Sequence, residues 1–171
     1  MFQTLSDFIT DISGGRRNAQ AFDENDYRLA TAALLVHVVS IDGAVTEAER
    51  IRLQAILASR FDLDAKMSGA LMAQAVVKDA EAVDLYAFTS VLNRALDGEG
   101  RRRIVEMMFE AAFADGGLTE FEDNLVARVA ELLNIEDRDL VAIRQVIREE
   151  AEAGVEQQDS SAGRGSEGCS A

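Results

Sequence analysis

Two stretches hold the residues best placed for chemistry. Asp42-Gly43-Ala44-Val45-Thr46-Glu47-Ala48-Glu49 returns later in the chain as Asp115-Gly116-Gly117-Leu118-Thr119-Glu120-Phe121-Glu122. From aspartate-glycine to the closing glutamate, both copies match the second half of an EF-hand loop, in which that aspartate and that glutamate give oxygen to calcium. The first half is missing. Its ligand positions hold Val38 and Ser40 in one copy and Ala111 and Phe113 in the other. A full carboxylate cage is therefore excluded, which leaves a smaller carboxylate site whose shell water would complete.

Helix punctuation explains part of the same pattern. Gly43 and Gly116 suit the left-handed conformation that ends a helix, and Thr46 and Thr119 suit the N-cap of the next. Glu49 and Glu122, three positions on, complete capping boxes by reaching back to the threonine N–H. Capping leaves Asp42 and Asp115 without a required role, so the acidic turns stand open to both readings.

The elements that position these turns read as helices throughout. The chain has no proline and few strand signals, so the fold class is all-α: a single-domain bundle of about seven to eight helices, built on a duplicated helix-turn-helix unit with two-fold pseudo-symmetry. A nearly continuous apolar run predicts a central helix from about Asp26 to Ile41. A second helix follows through Ile51 to Phe61, and a third starts at Asp62 or Asp64 and ends near Lys78-Asp79. A connecting helix spans Glu81 to Leu96 and stops at Gly98 and Gly100. The pattern then restarts. Ile104, Met107, Met108, Ala111 and Ala112 overlay Thr31, Leu34, Leu35, Val38 and Val39 at the offset that separates the two acidic stretches, and a last helix ends at about Glu152. Asn134-Ile135-Glu136 overlays Asp62-Leu63-Asp64 with that offset shortened by a single position.

Outside this body, residues 1–20 form an N-terminal amphipathic helix and linker, with Phe2, Leu5, Phe8, Ile9 and Ile12 on one stripe and Gly14-Gly15 after it. Its polar face carries Asp7 and Asp11 rather than basic residues. That favours packing on its own domain or on a second copy over attachment to anionic lipid. Residues 21–152 form the helical domain, and 153–171 read as a disordered acidic tail. Gly163-Arg164-Gly165-Ser166-Glu167-Gly168 in that tail matches a dinucleotide-binding fingerprint, but without the flanking strand and helix the match is spurious.

Composition narrows the function classes. The formal charge is −14, of which only −3 lies in 151–171, so the folded part repels nucleic acid and anionic membranes and suits cations or a protein partner. One cysteine, Cys169, excludes an intrachain disulfide and a thiolate metal cluster and fits a cytoplasmic location. No signal peptide and no spanning helix are expected. With one histidine, one cysteine and no nucleophile motif, the chain is not read as an enzyme.

Three other features read more simply as structure. His37, whose partner position in the second copy is Glu110, could extend a metal site, but a lone histidine on an apolar helix is more often a hydrogen-bonded core or boundary residue. Arg101-Arg102-Arg103 opposes the macrodipole at a helix start and reads as a solvated cluster paired with nearby acids. Met67, Met72, Met107 and Met108 fall at core positions.

Taken together, the apolar helix ending in Ile41-Asp42-Gly43-Ala44-Val45-Thr46-Glu47-Ala48-Glu49, and its return as Ala114 to Glu122, resemble the TerB-like domain of tellurite resistance proteins, also found at the N-terminus of a DnaJ-type co-chaperone. The resemblance covers roughly Ala21 to Glu150. It implies an all-helical, internally two-fold domain with an acidic surface, linked to tellurite and other stress resistance and without an established enzymatic activity. Where such domains take a divalent cation (calcium, zinc, magnesium or manganese), the matching positions here are Asp42, Glu49, Asp115 and Glu122.

Overall fold

The computed structural model describes residues 22–114 and 116–162, with side chains described as far as 155. The expected N-terminal helix, the glycine-rich match in the tail, Cys169 and Asp115 lie outside the described residues.

Seven helices and no strand occur among the described residues: α1 (Tyr27–Ser40), α2 (Glu47–Phe61), α3 (Ala65–Glu81), α4 (Tyr86–Ala95), α5 (Gly98–Phe113), α6 (Glu120–Leu132) and α7 (Asp137–Ala162). The bundle is built around α1. Asp26 caps it by accepting from the Arg28 N–H at 2.9 Å. Leu29 through Val36 and Val38 are all buried, so apolar surface runs around the helix and α1 touches α2, α3, α4, α5 and α6. α5 is the second core helix, burying Ile104, Val105, Met107, Met108, Phe109 and Phe113 against α1 and α7. No helix among the described residues is long and apolar enough to cross a membrane.

The chain enters the bundle at Phe22. Its ring is buried and the Arg28 guanidinium lies 4.8 Å from its centroid. The side-chain amide of Gln74 on α3 holds both backbone groups of that residue, accepting from the Phe22 N–H at 3.1 Å and donating to its carbonyl at 3.2 Å. Tyr27 packs edge-on against Phe61, with centroids 5.7 Å apart, and so fixes the end of α2 beside the start of α1.

Four boundaries differ from the sequence expectation. α3 passes through Lys78-Asp79 to Glu81, because neither residue breaks a helix. α4 then starts only at Tyr86, where the Asp84 carboxylate accepts from the Tyr86 and Ala87 N–H groups at 2.9 and 3.3 Å. Gly98 and Gly100 open α5 instead of ending its predecessor. Asp97 accepts from the Gly100 N–H at 2.8 Å, and a first turn tolerates glycine because its N–H groups need outside partners. A Cβ at Gly100 would stand only 3.1 Å from Leu96 Cβ, a tight contact that the glycine avoids. Finally, α7 continues beyond Glu152 to Ala162. Gly154 weakens the helix by only about 1 kcal/mol and no proline stops it.

Candidate functional site

Each acidic turn is built by the helix that follows it. At Thr46, the hydroxyl accepts from the Glu49 N–H at 3.3 Å, and Glu49 Oε2 accepts from the Thr46 N–H at 2.6 Å and hydroxyl at 2.8 Å. Thr119 forms the same box: its hydroxyl accepts from the Glu122 N–H at 3.2 Å, and Glu122 Oε2 accepts from the Thr119 N–H at 2.8 Å. Both glycines have positive φ, but at +153° and +93° neither adopts the left-handed helical cap that was expected. That conformation belongs to Asp62 (φ 51°) and Asn134 (φ 57°) at the far ends of α2 and α6. There the N–H groups of Leu63 and Ile135 close back onto the carbonyls of Ala58 and Ala130, both at 2.9 Å, which is a Schellman closure.

The two turns meet. The Thr119 hydroxyl donates to Asp42 Oδ2 at 3.4 Å, joining positions 77 apart, and Arg52 of α2 donates to the Ala114 carbonyl at 3.0 Å, where α5 ends. Asp42 is therefore held beside the second turn rather than only its own. Asp42 is exposed, while Glu49 and Glu122 are half-buried by their caps. Ile41 and Phe121, next to Asp42 and Glu122 in the chain, are exposed, as is Ile51 on α2.

The surrounding charges differ between the turns. Arg50 grips Glu47 with two donated bonds, 2.8 and 2.6 Å, and this hydrogen bonding holds the Glu47 carboxyl below its ordinary range. The counterpart of Arg50 in the second copy is Asp123, which lies 2.7 Å from Arg144 of α7 in an ion pair that lacks hydrogen-bond alignment. Among the described residues, no three His, Cys, Asp or Glu side chains form a group that could hold a metal ion. Asp42, Glu49 and Glu122 therefore do not make a cation cage by themselves.

His37 and Glu110 do not extend this face. His37 Nδ1 lies 2.7 Å from Asp79 Oδ1, and Glu110 accepts from Arg60 at 2.8 Å. Arg102 pairs with Asp139 of α7, and Arg101 donates to Asn93 at 3.2 Å, so two of the three arginines join helices rather than pairing with the acids next to them in sequence. Met72, Met107 and Met108 are buried and Met67 packs against the core. The contacts that sequence reasoning did not find are Arg52 to Ala114 and Asp42 to Thr119. Both bring distant segments together, and no local pattern marks them.

The family model for tellurite resistance protein TerB matches residues 28–145. The chain belongs to the TerB family. The match runs from the first turn of α1 into α7 and includes both acidic turns, so the TerB domain comprises the two capping boxes and the contact between them. No curated protein and no solved structure matches the chain.

Proposed function

We propose that this TerB domain is a non-catalytic, cytoplasmic stress-response module of the tellurite-resistance type, whose working surface is the end of the bundle where the two acidic turns meet. The observation that carries this reading is the Asp42–Thr119 contact, which makes one face of two turns. Capping occupies Oε2 of Glu49 and of Glu122. A divalent cation (calcium, zinc, magnesium or manganese) would draw its protein ligands from among Asp42, Glu49, Asp115 and Glu122, with solvent completing the shell. Because the three described carboxylates do not converge into a cage, such a site is open and water-rich.

Thermal melting of the full chain in each cation tests this. A ligand at one hundred times its dissociation constant stabilises the fold by about 2.7 kcal/mol, and Asp42→Asn or Asp115→Asn should abolish that gain while leaving the metal-free melt unchanged or raised. If none of the four cations shifts the wild-type melt, the cation reading is lost.

The alternative is a purely structural protein-protein interaction module with no metal site. It is favoured by exposed Ile41, Ile51 and Phe121 among the acids, a surface suited to a partner that is both basic and apolar. For that module, Phe121→Ser should weaken partner capture at unchanged melting temperature.

A further inference from the structure

We infer that the segment from Phe2 to Ile12 docks as a helix into the groove between α2 and α7, over the end of α5, as the counterpart of α4. The groove is open to solvent and offers about 450 Å³. Ile56 of α2, Phe113 and Ala114 of α5, and Ile147 and Ala151 of α7 line it, with Arg60 among its polar edges.

The packing of α4 indicates what belongs there. α4 directly precedes α5 in the chain, rests on α1, which is the first helix of the other unit, and reaches α6, the second helix of its own unit. A helix bearing that relation to α1 would rest on α5 and reach α2. Those two helices, with α7, form the walls of the groove.

The sequence supplies a segment of the same design. α4 and the residue before it present Leu85, Phe88, Val91, Leu92 and Ala95, and of these Phe88, Val91 and Leu92 are buried. Phe2, Leu5, Phe8, Ile9 and Ile12 repeat those spacings one for one, at a single constant offset. That offset is longer than the one between the acidic turns, so the segment has a longer connection to α1 than α4 has to α5. On a helix, Asp7 and Asp11 fall on the side opposite this stripe and keep their charge in water when the stripe is buried.

The connection is long enough. Ile12 and Phe22 lie ten positions apart, which span at most about 33 Å, against about 22 Å for the whole length of α2. Arg60 of the groove adjoins Phe61, which packs on Tyr27, the first residue of α1. The groove thus opens near the point where α1 begins.

Paramagnetic NMR on the full chain tests the placement. With Cys169→Ser and Asp7→Cys, a nitroxide sits on the outward face of the segment. The amides of Ala55, Arg60 and Ala151 should lose intensity several-fold, and those of Val83 and Tyr86 should not. Phe8→Asp in the segment, or Ala55→Arg in the groove, should each restore the intensity, with no more than the segment's own helical signal lost from the circular dichroism. Broadening that is absent, or centred on Val83 and Tyr86, overturns the placement. Broadening of isotope-enriched unlabelled protein by labelled, unenriched protein would assign the groove to a second copy and overturns it as well. So does release of the segment onto phosphatidylcholine vesicles.

Discussion

The two acidic turns have the same capping box, yet their surroundings differ. In the first, the Thr46 hydroxyl donates to its own Glu49, Arg50 binds Glu47, and Asp42 reaches across as an acceptor. In the second, the Thr119 hydroxyl donates across to Asp42 and the position equivalent to Arg50 is Asp123, which looks outward to Arg144 of α7. One threonine hydroxyl stays within its own box and the other bridges the turns. A duplicated motif can thus preserve the backbone solution, a capped helix start, while its second copy takes on the work of joining the units.

Substitutions at equivalent positions measure that asymmetry. The largest effects should come from the helices behind the turns. Leu53 of α2 and Val126 of α6 occupy the equivalent place in the two copies, and both are buried. Leu53→Ala should destabilise by about 2–5 kcal/mol in denaturant melts. Val126→Ala removes one methylene fewer and should cost about 0.8 kcal/mol less. The reverse order would show that the α6 side is the better packed.

Next come the caps. Thr46→Ala and Thr119→Ala should each cost on the order of 1 kcal/mol. A double-mutant cycle with Asp42→Ala should find coupling at Thr119 and none at Thr46. Equal coupling at both would mean that Asp42 acts through the general field of the face, not through the cross-turn hydrogen bond.

The smallest effect is one of pH. The folded-state pKa of Glu47 is lowered, first by the hydrogen bonds from Arg50, so its contribution to stability is present above the ordinary value of 4.5 and is lost as pH falls through the folded value. Wild type and Glu47→Gln should therefore melt apart near neutral pH and converge in acid.

Much of this was legible in the sequence because it is local. Threonine and glutamate three apart declare a capping box without reference to the rest of the chain, and the apolar content of α1 declares a helix buried on all sides. The aspartate-glycine pairs misled in one respect. Glycine permits several positive-φ conformations, and the left-handed caps fell instead to Asp62 and Asn134, whose short polar side chains tolerate that conformation. The start of α5 was hidden because two glycines resemble a stop, and only the Asp97 side chain makes them a beginning. The link from Asp42 to Thr119 depends on how α1, α2 and α5 pack, which no spacing within either copy reveals.

The grip of Gln74 on Phe22 has a mechanical meaning as well. One side-chain amide satisfies both polar groups of a backbone residue, as a neighbouring strand would, but it closes a loop between positions 52 apart in the chain. Such a closure costs loop entropy, which is already met once α1 and α3 are packed together. It also forms a mechanical stop: tension on the chain ahead of Phe22 meets two hydrogen bonds and a buried ring before it reaches the first turn of α1.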